Sequence, residues 1–219
     1  MEKVDEYEKN VFINCPFDDK YFDLLEVLLF TITYFGYNPR IALEESDSGI
    51  PRLNKIINLI QESKYSIHDL SRLQAKSINE YYRLNMPFEM GLDYGLRKFT
   101  SGYKDKRSLI LETNKYDYMK AISDINGFDI KNHNDTPIKL IECLRAWFSE
   151  TVKLKKLNAS TKIYSDFIDF NTDLFQKKML KYFPDHSITE SENFAKKEIK
   201  EMTMPEFIFE INEWVKSDV

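Results

Sequence analysis

The sequence predicts an α/β fold in which a sheet of five parallel strands occupies residues 1–157 and a helical appendage follows over residues 158–219. Short apolar runs alternate along the first part with longer segments whose apolar residues recur at helical spacing. With 42% hydrophobic and 31% charged residues, the composition is that of a globular protein. Beyond residue 158 only the helical spacing continues, so we expect helices alone there.

The strands are expected where apolar residues form short, nearly continuous runs. Val11-Phe12-Ile13 is typical of a strand buried on both faces. The five predicted strands cover residues 11–13, 38–43, 65–70, 108–111 and 128–130. Polar residues fill the segment 71–84, which we expect to form a mobile loop.

Helices are expected between the strands, where capping residues and prolines mark their starts. Asp18 or Asp19 can cap the first, Pro51 fits the first turn of the second, and Asn85 can cap the third. Further helices are predicted over residues 116–122 and 137–157. In the appendage, one or two helices are expected before Pro205, which begins another. We expect the appendage to pack on the sheet domain or on a partner.

Charge and cysteine content exclude several classes of function. The net charge is −5 and basic residues are not segregated, which argues against direct binding of nucleic acid. Two distant cysteines favour a reducing compartment, and we expect a cytoplasmic location. The charged first ten residues contain no signal core, and the longest apolar stretch is interrupted by Glu26, so no membrane association is expected.

No metal or resident cofactor is predicted. The three histidines, His68, His133 and His186, lack the spacing of metal ligands, and no Cys-x-x-Cys pair occurs. Glycine-rich loops of the dinucleotide-binding and Walker types are absent from the sequence.

Four polar segments are expected at the edge of the sheet where ligands bind. In open parallel sheets this is the edge formed by the carboxyl ends of the strands. Asn14 and Phe17 follow the first strand, Asp47 lies after the second, Asp69 ends the third, and the helix bearing Glu89 begins at the same edge. These residues are the candidate site.

Glu89 is the strongest candidate for catalysis. It lies in the first turn of a helix, where the macrodipole favours a carboxylate, so we expect it to be ionised at neutral pH. Gly91 and Gly95 would allow another backbone to approach this helix closely. A carboxylate beside a sugar can act as a nucleophile or stabilise an oxocarbenium-like transition state. Considered from the residues alone, the pattern favours an ordinary helix-start acid at Glu89, since acids are common in first turns.

The other candidates also have two interpretations each. Asp69 could orient a ribose hydroxyl or cap the following turn. Arg40 could pair with a phosphate or simply be solvated at the surface. Asp47, in the turn Asp47-Ser48-Gly49, could contact a ligand or only form the turn. His68 should point to the face opposite Asp69 as a structural histidine, and Cys15 is expected to be a buried, inert thiol.

Three segments of the sequence resemble a known group of bacterial proteins. They are residues 11–17 (VFINCPF), 65–72 (YSIHDLSR) and 85–91 (NMPFEMG). The likeness is to nucleoside 2-deoxyribosyltransferases and TIR domains, and covers about residues 10–150. It implies a flavodoxin-like three-layer fold and cleavage of N-glycosidic bonds in nucleosides, nucleotides or NAD. Several such proteins are toxic effectors of anti-phage defence.

The resemblance also implies roles for individual residues. In the transferases the nucleophile is the glutamate of a Glu-hydrophobic-Gly segment, and Glu89-Met90-Gly91 fits that form. Two positions depart from the pattern: Phe12 stands where the family has a tyrosine, and Arg83 has the spacing of an aspartate that helps protonate the leaving base. The nicotinamide of NAD leaves without such a proton, so these departures favour hydrolysis over base exchange.

The sequence therefore predicts an N-glycosidase that acts on NAD or a related nucleotide, with Glu89 as catalytic residue and Asn14, Phe17, Asp69, Arg40 and Asp47 as substrate contacts. Self-association or a defence-system partner is expected. Three alternatives remain: a nucleotide-sensing or partner-docking module without turnover, a nucleoside deoxyribosyltransferase, and an adaptor working through its aromatic C-terminal helices.

Overall fold

A computed structural model describes residues 2–73 and 84–218. Its five strands are β1 (Asn10–Asn14), β2 (Asn38–Ile41), β3 (Tyr65–Asp69), β4 (Arg107–Glu112) and β5 (Ile130–Asn132). They form one parallel sheet in the order β2-β1-β3-β4-β5. This is the flavodoxin-like strand order, and it confirms the predicted α/β three-layer fold. Most of the polar loop predicted at residues 71–84 lies outside the described residues.

Helices cover both faces of this sheet. They are α2 (Phe22–Tyr34), α3 (Arg52–Gln61), α4 (Asn85–Phe99) and α5 (Pro137–Glu150), while α1 (Glu2–Lys9) precedes β1 in the chain. Helices α2 and α5 contact each other, whereas α3 contacts α4, and α4 also contacts β1 and β3. Because successive residues of a strand point to opposite faces, each central strand supplies side chains to both helical layers.

The core forms around the central strands, as their apolar runs predict. Val11, Phe12 and Ile13 are each at most 1% exposed, because helices lie above and below β1. Phe12 packs with Ile56 of α3 in one apolar cluster. Full burial of such side chains stabilises the fold by about 1.5–3 kcal/mol each.

The connection between β4 and β5 differs from the prediction. Instead of one α-helix over residues 116–122, it contains two short 3₁₀ helices, Asp117–Lys120 and Ser123–Ile125. Tyr116 has a left-handed backbone with φ of 71°. The carboxylate of Glu112 accepts hydrogen bonds from the backbone N–H groups of Tyr116 (2.7 Å) and Tyr118 (3.2 Å). These bonds hold the chain in a turn that is incompatible with continuous α-helix.

Several predicted element boundaries were wrong. Neither α2 nor α4 has a side-chain cap: the residues preceding them are Tyr21 and Leu84, so Asp18, Asp19 and Asn85 do not cap. The second strand ends at Ile41, before the predicted limit. Helix α5 ends at Glu150, seven residues before the expected end, and α1 was not predicted at all.

The chain divides into two compact units, Met1–Leu157 and Asn158–Val219. The second contains α6 (Ser160–Tyr182), α7 (Ile188–Glu201) and α8 (Met204–Asp218). Helix α7 begins with a capping box in which Ser187 and Glu190 satisfy each other's backbone N–H groups. Phe170 packs against Phe207 of α8, with ring centroids 5.7 Å apart. Among the described helices, none combines the length and apolar character needed to cross a bilayer.

Candidate functional site

The carboxyl edge of the sheet brings together residues from three separate segments. Cys15 follows β1 and Asp69 ends β3, while Glu89 lies just beyond the first turn of α4 and not within it, as was expected. Cys15 is close enough to both acids for their charges to raise its pKa, in addition to the larger effect of burial. On the neighbouring α3, the guanidinium carbon of Arg52 lies 5.8 Å from the centroid of the Phe17 ring. The topology therefore assembles Cys15, Phe17, Arg52, Asp69 and Glu89 at one edge.

Asn14 fixes the start of α4 relative to the sheet. Its side-chain Nδ2 donates to the backbone carbonyl of Met86 (2.8 Å) and approaches Nδ1 of His68 at 3.1 Å. Because Nδ2 carries two hydrogens and no acceptor, Nδ1 of His68 must be the acceptor. Through these hydrogen bonds Asn14 anchors the first turn of α4, which precedes Glu89. Because Asn14 is only 3% exposed, it has little surface left for contact with a substrate.

His68 continues this network beneath α4. With Nδ1 accepting, its proton is on Nε2, which donates to Asp93 Oδ2 at 3.0 Å. Lys106 Nζ lies 3.1 Å from Asp93 Oδ1, and Ser66 Oγ donates to Oδ2 at 2.5 Å. Burial alone would raise the pKa of Asp93, but the bonds from His68 and Ser66 and the charge of Lys106 hold it far below its ordinary value. His68 is thus the structural histidine that was predicted.

Asp69 occupies the opposite face, as strand alternation predicts. It is fully buried, and its Oδ2 accepts from the hydroxyl of Tyr21 (2.5 Å) and lies 3.0 Å from His133 Nε2. Its Oδ1 accepts from the backbone N–H of Ser71 at 2.8 Å. Burial opposes ionisation, but these bonds outweigh it and lower the pKa of Asp69. Contact between Asp69 and a substrate stays a prediction, since both oxygens already have protein partners.

His133 was missed by sequence reasoning. It follows β5 and is fully buried, and its Nδ1 accepts from the backbone N–H of Asp135 at 3.1 Å. Its Nε2 lies 3.0 Å from both Asp69 and the hydroxyl of Ser71. An isolated histidine in a polar segment gives no signal of this pairing, because the two strands that bring it to Asp69 are far apart in sequence.

Glu89 differs from both buried aspartates. Among the described residues it has no hydrogen-bond or ion-pair partner, and its side chain is half-buried. Burial raises its pKa to about 7, against a smaller opposing effect of Arg52. The expectation that Glu89 is fully ionised at neutral pH was therefore wrong, because α4 has no acid in its first turn and desolvation of Glu89 outweighs the charge of Arg52.

Gly91 and Gly95 do not meet a neighbouring backbone, contrary to expectation. A Cβ added at Gly91 would have no atom within 4 Å, and one at Gly95 would reach only the ring of Phe99 at 4.0 Å. Helix α3 approaches α4 at Leu92 and Leu96 instead, next to Ile56 and Leu59. The two glycines leave open space on the surface of α4.

Arg40 and Asp47 are engaged within the protein. Arg40 donates to Glu44 (2.9 Å) and lies 3.3 Å from Glu62. Asp47 Oδ1 accepts from the N–H of Gly49 at 2.8 Å, which closes the turn expected there. Phe17 is 41% exposed and can stack against a ligand. Substrate contact stays a prediction for all three: Phe17 and Asp47 are exposed, whereas Arg40 is half-buried.

Cys15 is buried, as predicted. It is 2% exposed, and burial together with the charges of Asp69 and Glu89 raises its pKa well above the ordinary value. A thiol in this state is not ionised at neutral pH and is a poor nucleophile.

The Arg83 position, where the resembling family has an aspartate, lies outside the described residues. Nor do the described residues contain a group of three or more histidine, cysteine or acidic side chains arranged to hold a metal ion.

Comparisons of the chain with protein-family models, with curated proteins and with solved structures find no match. The resemblance to deoxyribosyltransferases and TIR domains therefore stays a prediction that rests on the three short segments.

Proposed function

We propose that this protein hydrolyses the N-glycosidic bond of NAD or a related nucleotide, with Glu89 as the catalytic carboxylate. The observation that carries the proposal is the contrast among the acids of this region. Hydrogen bonds occupy Asp69 and Asp93 and hold their pKa values down, whereas Glu89 is desolvated, raised to a pKa of about 7, and free of hydrogen bonds within the described residues. Perturbed carboxylates of this kind are typical of catalytic sites.

The chemistry needs one carboxylate and no proton donor for the leaving group. The bond from ribose C1′ to the nicotinamide nitrogen breaks, and its electron pair neutralises the positive ring nitrogen. Ionised Glu89 stabilises the resulting oxocarbenium-like carbon or bonds to it. Water then adds at C1′, which yields ADP-ribose, nicotinamide and one proton. Because the ionised form is required, the rate should rise with pH.

Phe17 and Arg52 are proposed to orient the substrate. The exposed ring of Phe17 offers a stacking surface for a base, and the nearby guanidinium of Arg52 suits a phosphate group. Asn14 and Asp69 contribute by holding the start of α4 and the end of β3. Arg40 and Asp47 are at most peripheral contacts, given their partners within the protein.

Action as a toxic effector in the cytoplasm, in a self-associated form or with a defence partner, is part of the same proposal. Its support is the resemblance and the surface of the second unit, where Leu180, Ile188 and Phe209 are each about 60% exposed. The two cysteines are free thiols, which suits a reducing compartment.

The test is incubation of the full chain with NAD, nucleosides and nucleotides, followed by mass spectrometry at pH values from 5 to 9. Wild type should release nicotinamide or a free base, with a rate that rises through about pH 7. Glu89→Gln should lose this activity. The matched control is Glu26→Gln, because Glu26 on α2 also has a pKa raised by burial to about 7.

Equal turnover by wild type and Glu89→Gln would contradict the role of Glu89. The role of Glu89 would also be contradicted if the midpoint near pH 7 in the pH dependence of the rate disappeared in Glu26→Gln but persisted in Glu89→Gln.

A non-catalytic nucleotide-binding module is the second candidate. The specific observation in its favour is that the side chains of Asn14 and Asp69 are already hydrogen-bonded to other protein groups, which leaves few polar groups at this edge for chemistry. It predicts that calorimetry detects nucleotide binding by wild type and Glu89→Gln alike, with no product in either sample.

A further inference from the structure

A cavity that Glu89 does not line lies along one side of α4. It encloses about 360 Å³ between α4 and the connection from β4 to β5. That connection consists of two short 3₁₀ helices in place of a longer α-helix, so the flank of α4 is left uncovered. A volume of this size is at the lower end of those that hold small-molecule ligands.

The walls of this cavity suit a flat ring. Tyr94 of α4 and Phe128 meet edge to face, with centroids 5.7 Å apart. Met90, Ile110 and Ile125 supply apolar lining. Both aromatic rings are about 40% exposed although they lie beside this apolar surface. Such a combination of aromatic and aliphatic surfaces favours the insertion of a planar heteroaromatic group.

Charged groups without partners border the same cavity. Arg97, Asp124 and Asp129 line it, and within the described part of the chain none of them makes a hydrogen bond or an ion pair. His68 and Ser108 also line it, but their polar atoms are engaged with Asp93 and its neighbours. The available chemistry is thus one cation that can bind an anionic group and two carboxylates that can accept from N–H donors.

We propose that this cavity binds a small molecule that combines a planar heteroaromatic ring, an N–H donor edge and one anionic group. The ring packs beside Tyr94 and Phe128, Arg97 pairs with the anion, and Asp124 or Asp129 accepts from the donor edge. A nucleoside monophosphate and an aromatic amino acid share this chemistry. The site is distinct from Glu89, which does not line the cavity, so it stands without the proposed function.

Calorimetry with four probes tests the proposal and separates the two sources: AMP and adenosine, tryptophan and tryptamine. We use the Glu89→Gln background, so that turnover cannot consume a nucleotide. AMP should bind more tightly than adenosine, or tryptophan more tightly than tryptamine, because only the first of each pair carries the anion. Arg97→Gln should weaken that binding about tenfold or more, and Phe128→Ala should also weaken it.

The matched control is Lys104→Gln, which removes an exposed positive charge outside the cavity and should leave affinity unchanged. Arg97 and Phe128 retain solvent contact, so their variants should fold, and circular dichroism checks this. The proposal is overturned if no probe binds, if the probes lacking the anion bind as tightly, or if Arg97→Gln and Lys104→Gln behave alike. A nucleotide that binds elsewhere, for example beside Glu89, would give this last result.

Discussion

Two carboxylates on α4, those of Asp93 and Glu89, have pKa values shifted in opposite directions. Asp93 and Glu89 are four residues apart, and both lose solvent on folding. Asp93 meets His68, Ser66 and Lys106, and its pKa falls far below the ordinary value. Glu89 meets no such partners within residues 2–73 and 84–218, and burial raises its pKa to about 7.

Hydrogen-bond and ion-pair partners, and not burial, account for the opposite pKa shifts of these two acids. Desolvation is the largest single influence on both groups and acts in the same direction. Compensated burial makes Asp93 part of the scaffold. Burial of Glu89 without such bonds raises its pKa to near neutral pH, so it can exchange a proton there. The burial of its charge destabilises the fold, whereas the hydrogen bonds and ion pair of Asp93 stabilise it.

The largest expected effect is the loss of Asp93. Asp93→Ala leaves Lys106 buried without its counter-ion, and we expect the free energy of unfolding in urea to fall by about 3–5 kcal/mol. Adding Lys106→Met should restore much of the loss, because no unpaired charge then remains. Asp129→Ala, an exposed control, should change stability by less than about 0.5 kcal/mol. A loss below about 1 kcal/mol in Asp93→Ala would show that the network is not a scaffold.

A smaller loss of stability is expected when Asn14, which joins His68 to the start of α4, is replaced. Asn14→Ala leaves the carbonyl of Met86 and Nδ1 of His68 without a donor, which should cost about 1–3 kcal/mol in urea unfolding. Asn126→Ala, at an exposed asparagine, is the matched control. If the two variants are equally stable, Asn14 does not anchor α4.

The smallest effect has the opposite sign. Because the pKa of Glu89 is higher in the folded chain than its ordinary value of 4.5, its ionised form opposes folding. This cost is absent below about pH 4.5 and complete above about pH 7. Glu89→Gln should therefore raise the free energy of unfolding at pH 8 by about 1–2 kcal/mol, less than the full shift implies because the side chain keeps contact with water.

The measurement is urea unfolding at pH 5 and pH 8. The gain from Glu89→Gln should shrink towards the lower pH. A stability loss at pH 8 would mean that Glu89 has a stabilising partner and that the contrast with Asp93 does not hold.

Much of the unit that carries the site could be predicted from sequence. Apolar runs located all five strands to within a few residues, and the alternation of strand and helix implied the parallel order. Besides misplaced boundaries, two elements were wrong in kind: Glu112 holds a turn where residues 116–122 were expected to form an α-helix, and α1 was not predicted. The position of Glu89 at the carboxyl edge was predicted, whereas its charge state was not. The effect of a helix on a carboxylate can be estimated from the local sequence, but the loss of solvent depends on which distant segments pack around the side chain.

The α/β architecture, the edge of the sheet to which Asn14, Asp69 and Glu89 belong, and the opposite orientations of His68 and Asp69 follow from the sequence alone. The spacing of apolar residues and the alternation of side-chain direction along a strand are local properties of the chain, so they can be recognised without the tertiary structure. The tertiary structure was needed to show that Asp69 pairs with His133, that Asp93 pairs with Lys106, and that Glu89 has no hydrogen-bond or ion-pair partner among the residues described. Those pairings join residues distant in sequence, and they depend on distances of a few ångströms that no residue pattern records.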